Sequence, residues 1–227
     1  IDFVVIRENS EGEYIDNGGR FKKGTPDEVA VQTAVHTRKG VERIIRFAFD
    51  TARKRRKKLT MATKSNAQKY SYVMWDDILE ELKPEYPDVE AERMHCDAAV
   101  MNLVRWPDHF DVIVASNLFG DLLTDLGGIL GGGLGLAPSS NENPTREFPS
   151  MFEPVHGSAP DIAGKGIANP VAAILSLAMM LDHLQCDGAA QNVCTAVEAA
   201  LAAGAKTPDL GGELTTVEMG DAVLACL

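Results

Sequence analysis

The amino-acid sequence predicts an α/β protein built around a parallel or mixed sheet. Three strand-like apolar runs, at residues 3–6, 59–62 and 112–115, alternate along the chain with helical patterns. Such alternation is typical of sheets whose strands are connected by helices. The chain has 227 residues, which exceeds the usual length of one domain and is enough to bury a hydrophobic core.

The elements of the first half follow from their apolar periodicity. The run at residues 3–6 is continuously apolar, as in a buried strand. Residues 12–37 break the rhythm, because an Asp-Asn-Gly-Gly turn signal precedes valines and a threonine at alternate positions from 29 to 35. This pattern predicts an extended arm or hairpin that pairs with a second subunit. Helical patterns fall at residues 38–55, 72–82, 98–104 and 120–130.

A glycine cluster divides the chain. Three consecutive glycines at residues 131–133 are followed by a further glycine and a proline, which predicts a boundary near residue 131. We expect a first domain over residues 1–131 and a second over residues 132–227. In the second, helical patterns at 171–184 and 189–203 follow a loop rich in glycine and proline. Asn169 and Pro170 suit the N-cap and first position of the earlier helix.

Composition argues against several kinds of partner. With 33 acidic and 22 basic residues the net charge is −11, which disfavours nucleic acid and anionic membranes. The basic cluster at residues 53–58 is interpreted as a solvated helix end rather than a localisation or nucleic-acid patch. No run reaches the roughly 18 apolar residues of a membrane helix. Four scattered cysteines form no disulfide or zinc pattern, so we expect a reducing compartment, the cytoplasm.

Two carboxylates four residues apart are the most informative chemical signal. Asp121 and Asp125 share one face of a helix that directly follows the strand at 112–115. In α/β proteins ligands gather beyond the carboxyl ends of strands. Like charges at this spacing cost an isolated helix roughly 0.2–0.5 kcal/mol, which a bridging cation would offset. Carboxylate oxygens suit Mg²⁺ or Mn²⁺. The alternative is that acids simply favour the first turn of a helix.

Residues 152–170 form a loop punctuated by glycine and proline. Free N–H groups on such a loop can hold phosphate oxygens, and an acid there can bind a ribose hydroxyl while repelling a 2′-phosphate. Asp161 has the right chemistry for that acid. Because neither a G-x-G-x-x-G nor a P-loop pattern is present, an ordinary turn-rich connection remains an alternative interpretation of the loop.

Three further polar side chains come close to the ends of apolar runs. Arg7 can grip a carboxylate with two hydrogen bonds, although an ion pair with the adjacent Glu8 is the commoner arrangement. Lys64 can act as a base at a strand end, although most lysines are simply exposed. Asp97 suits either a metal ligand or a helix cap.

Taken together, these segments resemble the β-decarboxylating dehydrogenases of 2-hydroxy acids, the family of isopropylmalate, isocitrate and tartrate/D-malate dehydrogenases. Residues 7–14, 62–66, 117–125 and 153–170 carry the resemblance, which covers nearly the whole chain. Asn9 and residues 70–75 favour the tartrate/D-malate branch. The resemblance implies an isopropylmalate dehydrogenase-like fold of two domains, with central mixed sheets and a dimerisation arm.

The resemblance also implies a metal site that is shared in a homodimer. Asp121 and Asp125 of one subunit would hold Mg²⁺ or Mn²⁺ together with Asp97 of the other. The cation would chelate the substrate hydroxyl and the neighbouring carboxylate and stabilise the enolate left when CO₂ departs. The first of the two domains would therefore serve dimerisation, metal and substrate.

Catalytic and substrate-binding roles follow from the same resemblance. Lys64, reaching across from the partner subunit, would take the hydroxyl proton, and Tyr14 would return a proton to the enolate carbon. Arg7 would bind a carboxylate of a small 2-hydroxy dicarboxylate, such as D-malate, tartrate or 3-isopropylmalate. Asn66 would support the substrate and the nicotinamide end of the cofactor.

The cofactor implied is NAD. Asp161 would select NAD, because relatives that use NADP place lysine and tyrosine at the positions of Asp161 and Ile162. The remaining cofactor-binding residues would surround the adenosine half: His156, Gly157, Ser158, Ala159, Asn169 and Asp209.

The family's opening segment has no counterpart in this sequence. The chain starts inside a strand-like run, without a preceding turn or an initiator methionine, and we expect a piece of a longer protein whose residues 132–227 are the C-terminal half of a cofactor domain. Two alternatives to a dehydrogenase are a non-catalytic regulatory subunit or truncated assembly partner, and an α/β module that binds nucleotide without redox chemistry. Regulatory relatives usually lose the acids, the lysine or the tyrosine, all of which are retained here.

Overall fold

A computed structural model describes all residues from 1 to 227. It contains two compact units, Ile1–Leu126 and Gly127–Leu227, and the division falls within a single long helix. No helix in the structure has both the length and the apolar character needed to cross a membrane. All four cysteines are free.

The first unit is an α/β layer around one four-stranded sheet. Its strands are β1 (Val4–Arg7), β4 (Lys58–Thr63), β5 (Glu90–His95) and β6 (Val112–Ala115), in the order β1-β6-β4-β5. Every neighbouring pair is parallel, so this sheet is parallel rather than mixed. The helices are α1 (Arg38–Arg53), α2 (Ser71–Leu82), α3 (Cys96–Arg105) and α4 (Asn117–Leu130), of which α4 continues into the second unit.

The core of the first unit lies between the sheet and two helices. Fully buried side chains of α1 and α2 pack against those of β4 and β6. The largest of them include Trp75, Tyr72 and Phe49, and Phe49 stacks on Tyr86 with ring centroids 4.3 Å apart. This packing holds α2 firmly beside the sheet.

An exposed hairpin leaves the first unit as predicted, but with a different turn. Strands β2 (Gly18–Phe21) and β3 (Val29–Gln32) are antiparallel, and all their residues are exposed. The Asn-Gly pair at residues 17–18 leads into β2 instead of closing the hairpin, and seven residues between β2 and β3 make the turn. Gly18 is needed in the strand, because a Cβ there would meet the Val31 carbonyl.

The second unit consists of a hairpin and three helices. Strands β7 (Pro138–Asn141) and β8 (Met151–Pro154) pair antiparallel beside α5 (Val171–His183). Helices α6 (Asp187–Ala202) and α7 (Thr216–Leu224) complete an apolar core with α5. Helix α5 begins at Val171, where the predicted helical pattern begins, but its N-cap is Pro170 and not Asn169. Asn169 Oδ1 lies next to this helix start and accepts a hydrogen bond from the Val171 N–H at 3.0 Å.

The basic cluster at residues 53–58 ends α1 and is largely neutralised by acids. Arg53 pairs with Asp88 at 2.8 Å, and Arg55 pairs with Asp2 at 2.6 Å and with Asp111 at 2.8 Å. These contacts agree with the interpretation of a helix end.

Candidate active site

The parallel sheet brings the predicted site residues of the first unit to one edge. Because all four strands run in the same direction, their carboxyl ends lie together, and ligands of α/β proteins bind at such edges. Arg7 ends β1, Lys64 follows β4, Asp97 follows β5 by two residues, and Asn117 follows β6 by two residues. Neighbouring strands are about 4.8 Å apart. In the order β1-β6-β4-β5, the side chains at or just after the ends of β1 and β6 therefore lie together in one cluster, and those that follow β4 and β5 lie together in a second.

The first cluster surrounds Asp121 on α4. Arg7 donates from Nη1 to Asp121 Oδ1 at 2.8 Å, and from Nε and Nη2 to Asn117 Oδ1 at 3.0 and 2.7 Å. The Tyr14 hydroxyl donates to Asp121 Oδ2 at 3.0 Å. Gly120 makes this arrangement possible, because a Cβ at that position would come within 2.5 Å of Arg7 Cγ.

Charge in this cluster acts on the tyrosine. The hydrogen bond to the Asp121 carboxylate raises the pKa of Tyr14, because the ionised phenol would lose that bond and face a like charge. Tyr14 is about half exposed and the Arg7 guanidinium lies 5.5 Å from its ring centroid. The phenol is therefore protonated at neutral pH, as a proton donor must be.

The expected ion pair between Arg7 and Glu8 does not form. Successive residues of a strand point to opposite faces, so Glu8 is buried away from Arg7 and accepts from Arg43 at 3.2 Å. Arg7 is instead held by Asn117 and Asp121, which leaves the arginine on the cluster's side of the sheet edge.

The second cluster joins the ends of β4 and β5. Lys64 Nζ donates to Asp97 Oδ1 at 2.6 Å. The ammonium group lowers the pKa of Asp97, so this carboxylate is ionised at neutral pH. Asp97 lies in the first turn of α3, where the helix dipole also favours an anion, and its N-cap position is taken by His95.

Asn66 lies beside this second cluster in a groove of about 420 Å³. The groove is lined by polar side chains from the end of β4, the end of β5 and α2, among them Thr63, Asp76, Arg93 and His95. Asn66 itself is exposed and so can reach a ligand in the groove.

The donor chemistry of the first cluster fits a hard divalent cation. Asp121 and Asp125 lie one turn apart on α4, and Asp125 is exposed with its carboxylate accessible. Within one chain, however, no group of three acidic, histidine or cysteine side chains converges to hold a metal. Asp97 belongs to the second cluster, where it is paired with Lys64. One chain therefore places Asp121 and Asp125 together and Asp97 in a different position.

In the second unit the predicted cofactor residues lie on the loop after β8 and on a short 3₁₀ turn. Asn169 donates to Asp209 Oδ2 at 3.1 Å, and Thr207 donates to Asp209 Oδ1 at 2.5 Å. Asp161 is exposed and Ile162 is half-buried. Ala159 adopts the left-handed region with φ of +43°, where most residues are strained. The other three cofactor candidates are partly or fully exposed on the same loop: His156, Gly157 and Ser158.

Several polar residues of the site were missed by sequence reasoning. Asn117, which accepts two of the hydrogen bonds of Arg7, was counted only as part of a motif. Glu13 accepts from the Tyr72 hydroxyl at 2.5 Å and from the Leu118 N–H at 3.2 Å, which ties the segment before Tyr14 to the start of α4. The only sequence signal for these contacts was the position of Glu13 next to Tyr14, because Tyr72 and Leu118 are distant from Glu13 along the chain.

The fold and the site define an α/β protein whose polar groups converge on the carboxyl edge of a parallel sheet. The chain belongs to the isocitrate/isopropylmalate dehydrogenase family, whose model matches residues 1–223. The family resemblance inferred from the sequence is thereby confirmed, as is the α/β fold.

Individual relatives agree with this assignment. The chain is 52% identical over 224 residues to an Agrobacterium vitis protein named probable tartrate dehydrogenase/decarboxylase, covering 98% of this chain and 63% of that protein. It is 51% identical over 227 residues to the 3-isopropylmalate dehydrogenase of Corynebacterium glutamicum, covering 100% and 66% respectively. The crystal structure of isocitrate dehydrogenase from Methylococcus capsulatus superposes with a TM-score of 0.92 at 43% identity, covering 99% of this chain and 66% of the other. The chain thus spans about two thirds of the length of these relatives.

Proposed function

We propose that this protein oxidises a small 2-hydroxy dicarboxylate with NAD and decarboxylates the product with the help of a divalent metal. The observation that carries the proposal is the pair of charge-matched clusters on one sheet edge. Arg7, Tyr14 and Asp121 form one, and Lys64 with Asp97 forms the other. Together they offer an acid, a base, a carboxylate grip and metal ligands.

Asp121 and Asp125 of one chain and Asp97 of a second chain would hold Mg²⁺ or Mn²⁺. When bound, the cation supplies Lewis-acid stabilisation of negative charge on the substrate oxygens. The shared set is supported by the positions of the three acids, since Asp121 and Asp125 share one face of α4 while Asp97 lies in the other cluster beside Lys64. An ionised Asp97 at neutral pH suits it as a ligand for a cation.

The chain's own residues would move the protons. Lys64 would accept the hydroxyl proton of the substrate after its ammonium group has released a proton, and the protonated phenol of Tyr14 would deliver a proton to the carbon that loses CO₂. Arg7 would hold a substrate carboxylate through its planar fork of donors. Asn66, exposed in the groove beside Lys64, would contact the substrate and the nicotinamide.

NAD would bind the loop that contains Asp161. This carboxylate is exposed and would accept a hydrogen bond from the ribose 2′-hydroxyl while repelling a 2′-phosphate. Asn169 and Asp209, which are hydrogen-bonded to each other, would lie near the adenosine half of NAD. The segment of residues 156–159 would lie there too.

A homodimer would complete the active sites. The exposed hairpin carries Phe21, Val29 and Val31 on its surface, and α3 and α4 expose Met101 and Leu122. Exposed apolar side chains in such number favour coverage by another protein surface. No nucleic acid or membrane is proposed as a partner, and the four free cysteines suit the cytoplasm.

The test is NADH formation from D-malate, tartrate and 3-isopropylmalate in turn, with Mn²⁺. It is run on this chain and on a form extended by the opening segment that the family resemblance implies. We expect turnover of one of these acids by the extended form, with NAD preferred over NADP. If the folded extended protein turns over none of them, the proposal fails and a regulatory subunit becomes the better interpretation.

A further inference from the structure

Helix α2 carries two buried polar side chains that no proposed role accounts for. Tyr72 is fully buried and Asp76 is 5% exposed, and they lie one turn apart on the same face of the helix. Burying a polar group costs free energy unless it is hydrogen-bonded. Each of these two side chains therefore needs partners, and each finds them beside one cluster of the site.

Tyr72 secures the segments around Tyr14 and Asn117. Its hydroxyl lies 2.5 Å from Glu13 Oε1 and 2.5 Å from Ser116 Oγ. Glu13 directly precedes Tyr14, and Ser116 directly precedes Asn117 at the start of α4. The phenol thus fixes the chain next to the candidate acid and next to the first turn of the helix that presents Asp121.

Asp76 secures the turn that presents Lys64. Its Oδ1 accepts from the Thr63 hydroxyl at 2.7 Å, and its Oδ2 accepts from Arg93 at 2.8 Å. The Thr63 hydroxyl in turn accepts from the Ser65 N–H at 3.3 Å. Both chain neighbours of Lys64 are therefore tied, directly or through one hydroxyl, to Asp76.

Helix α2, which carries Tyr72 and Asp76, has little freedom to move. Trp75, Ile78 and Leu79 are fully buried in the apolar core, and the Trp75 N–H donates to His36 at 3.1 Å. Since interiors are closely packed, α2 cannot shift without disturbing that core. The spacing of Tyr72 and Asp76 along one helix turn consequently sets the spacing of the two clusters within a chain.

We propose that Tyr72 and Asp76 are positioning residues of the active site, Tyr72 for Tyr14 and the start of α4, and Asp76 for Lys64. The proposal rests on the function given above. It assigns α2, which contributes no side chain to the chemistry, the task of holding the acid and the base at fixed places on the sheet edge. Misplacing a reacting group by about 1 Å can cost about 100-fold in rate.

The test for Asp76 compares Asp76→Asn with Glu80→Gln, an exposed acid of the same helix that lies outside the groove of Asn66. Asparagine keeps the volume, but its amide nitrogen cannot accept a bond, so either Thr63 or Arg93 loses its partner. We expect kcat to fall about 10- to 100-fold in Asp76→Asn with KM little changed, and a larger deuterium isotope effect with substrate deuterated at the hydroxyl carbon. Glu80→Gln should match the wild type.

The test for Tyr72 compares Tyr72→Phe with Tyr86→Phe, a buried tyrosine of the same core that lies away from the sheet edge. We expect Tyr72→Phe to lower kcat and to raise the solvent isotope effect, because proton delivery by Tyr14 becomes slower. The isotope effect from deuterated substrate should not rise in this variant. A loss of stability alone would not produce opposite isotope signatures in the two variants.

Amide hydrogen exchange separates this proposal from the proposed reaction. In Asp76→Asn, exchange should quicken at residues 63–68, and in Tyr72→Phe at residues 12–14 and 116–120, each without change at the other segment. If Asp76→Asn fails to fold, Thr63→Val removes the same link, with Thr60→Val on the same strand as its control. Unchanged exchange at these segments would overturn the proposal whether or not the protein is a dehydrogenase, and so would kinetic parameters equal to those of the controls.

Discussion

At the residue scale, Asp121 joins the arginine and the tyrosine of the first cluster. Its two carboxylate oxygens accept from different partners, Arg7 at 2.8 Å and Tyr14 at 3.0 Å. Hydrogen bonds to a charged acceptor are shorter and stronger than neutral ones. Asp121 therefore fixes the direction of both an arginine and a candidate acid, in addition to its proposed role as a metal ligand.

The pKa of Tyr14 offers a direct measurement of this contact. The Asp121 carboxylate raises it, so Asp121→Asn should return the pKa towards the ordinary value near 10. The sign follows because a carboxylate stabilises the protonated phenol, so this contribution to folding is present below about pH 10 and is lost as pH rises through the higher folded-state pKa. Spectroscopic titration, with Tyr14→Phe subtracted to isolate one tyrosine, provides the value.

Asp125→Asn is the matched control for that titration. It removes a carboxylate from the same helix face one turn further on, where no hydrogen bond to Tyr14 forms. An equal fall of the Tyr14 pKa in both variants would show that general charge, and not the bond to Asp121, governs the tyrosine.

At this scale the sequence predicts candidate reactive side chains but not the side chains that support them. Lys64, Asp97 and Asp121 follow strand ends, which any α/β reading would mark. Tyr72 and Asp76 sit in an ordinary apolar helical pattern, and their partners lie between 13 and 59 residues away along the chain. Pairings over such separations depend on the sheet order, which the sequence pattern alone does not determine.

At the element scale, the side chain of Arg7 packs against the first turns of α4 and restricts which residue can stand at position 120. Glycine disfavours a helix interior by about 1 kcal/mol relative to alanine. Gly120 is nevertheless required, because a Cβ there would lie within 2.5 Å of Arg7 Cγ and 2.8 Å of Arg7 Cβ. The local preference for alanine is outweighed by the space that Arg7 occupies.

We accordingly expect Gly120→Ala to destabilise the protein by about 1–3 kcal/mol, the usual cost of overpacking. It should also weaken substrate binding through the displaced arginine. Gly220→Ala is the control, since Gly220 lies inside α7 with nothing near the place of a Cβ, and it should stabilise by about 0.5–1 kcal/mol. Urea unfolding measures both. Equal stabilisation by the two alanines would refute the steric account of Gly120.

Most elements with a regular apolar pattern were predicted well, and several short elements were missed. Strand β6 has the predicted bounds, and α1, α2, α5 and α6 differ from prediction by one or two residues. Strand β5 was missed, because Glu90–His95 is mostly polar and charged, has only Ala91 and Met94 as apolar residues, and lies at an edge of the sheet. Helix α7 was also missed, although the Thr215 and Glu218 capping box that starts it is visible in the sequence.

At the scale of the whole molecule, the proposed active site is formed by two chains. Each chain holds the Lys64 and Asp97 pair in one cluster and Asp121 with Tyr14 in another. The helix α2 links the two clusters within a chain. If each cluster serves a different active site of a dimer, α2 of each chain connects the two sites of the assembly.

The family and the α/β architecture could be anticipated at this scale, whereas the sequence left open whether the sheet is parallel or mixed and did not determine the relation between chains. Motifs such as the two aspartates on α4 identify the chemistry without saying which chain completes it. The exposed hairpin and the exposed apolar side chains of α3 would gain free energy by leaving water in the proposed dimer.

The measurement that tests the central claim most directly is complementation between two inactive variants. Lys64→Ala and Asp121→Asn are each prepared in the form extended by the family's opening segment, and are then mixed under conditions that exchange subunits. In a mixed dimer with shared sites, one site has both Lys64 and Asp121 intact, and NADH formation should recover to about a quarter of the wild-type rate after random exchange. No recovery, with mixed dimers verified by mass, would contradict a site built from two chains.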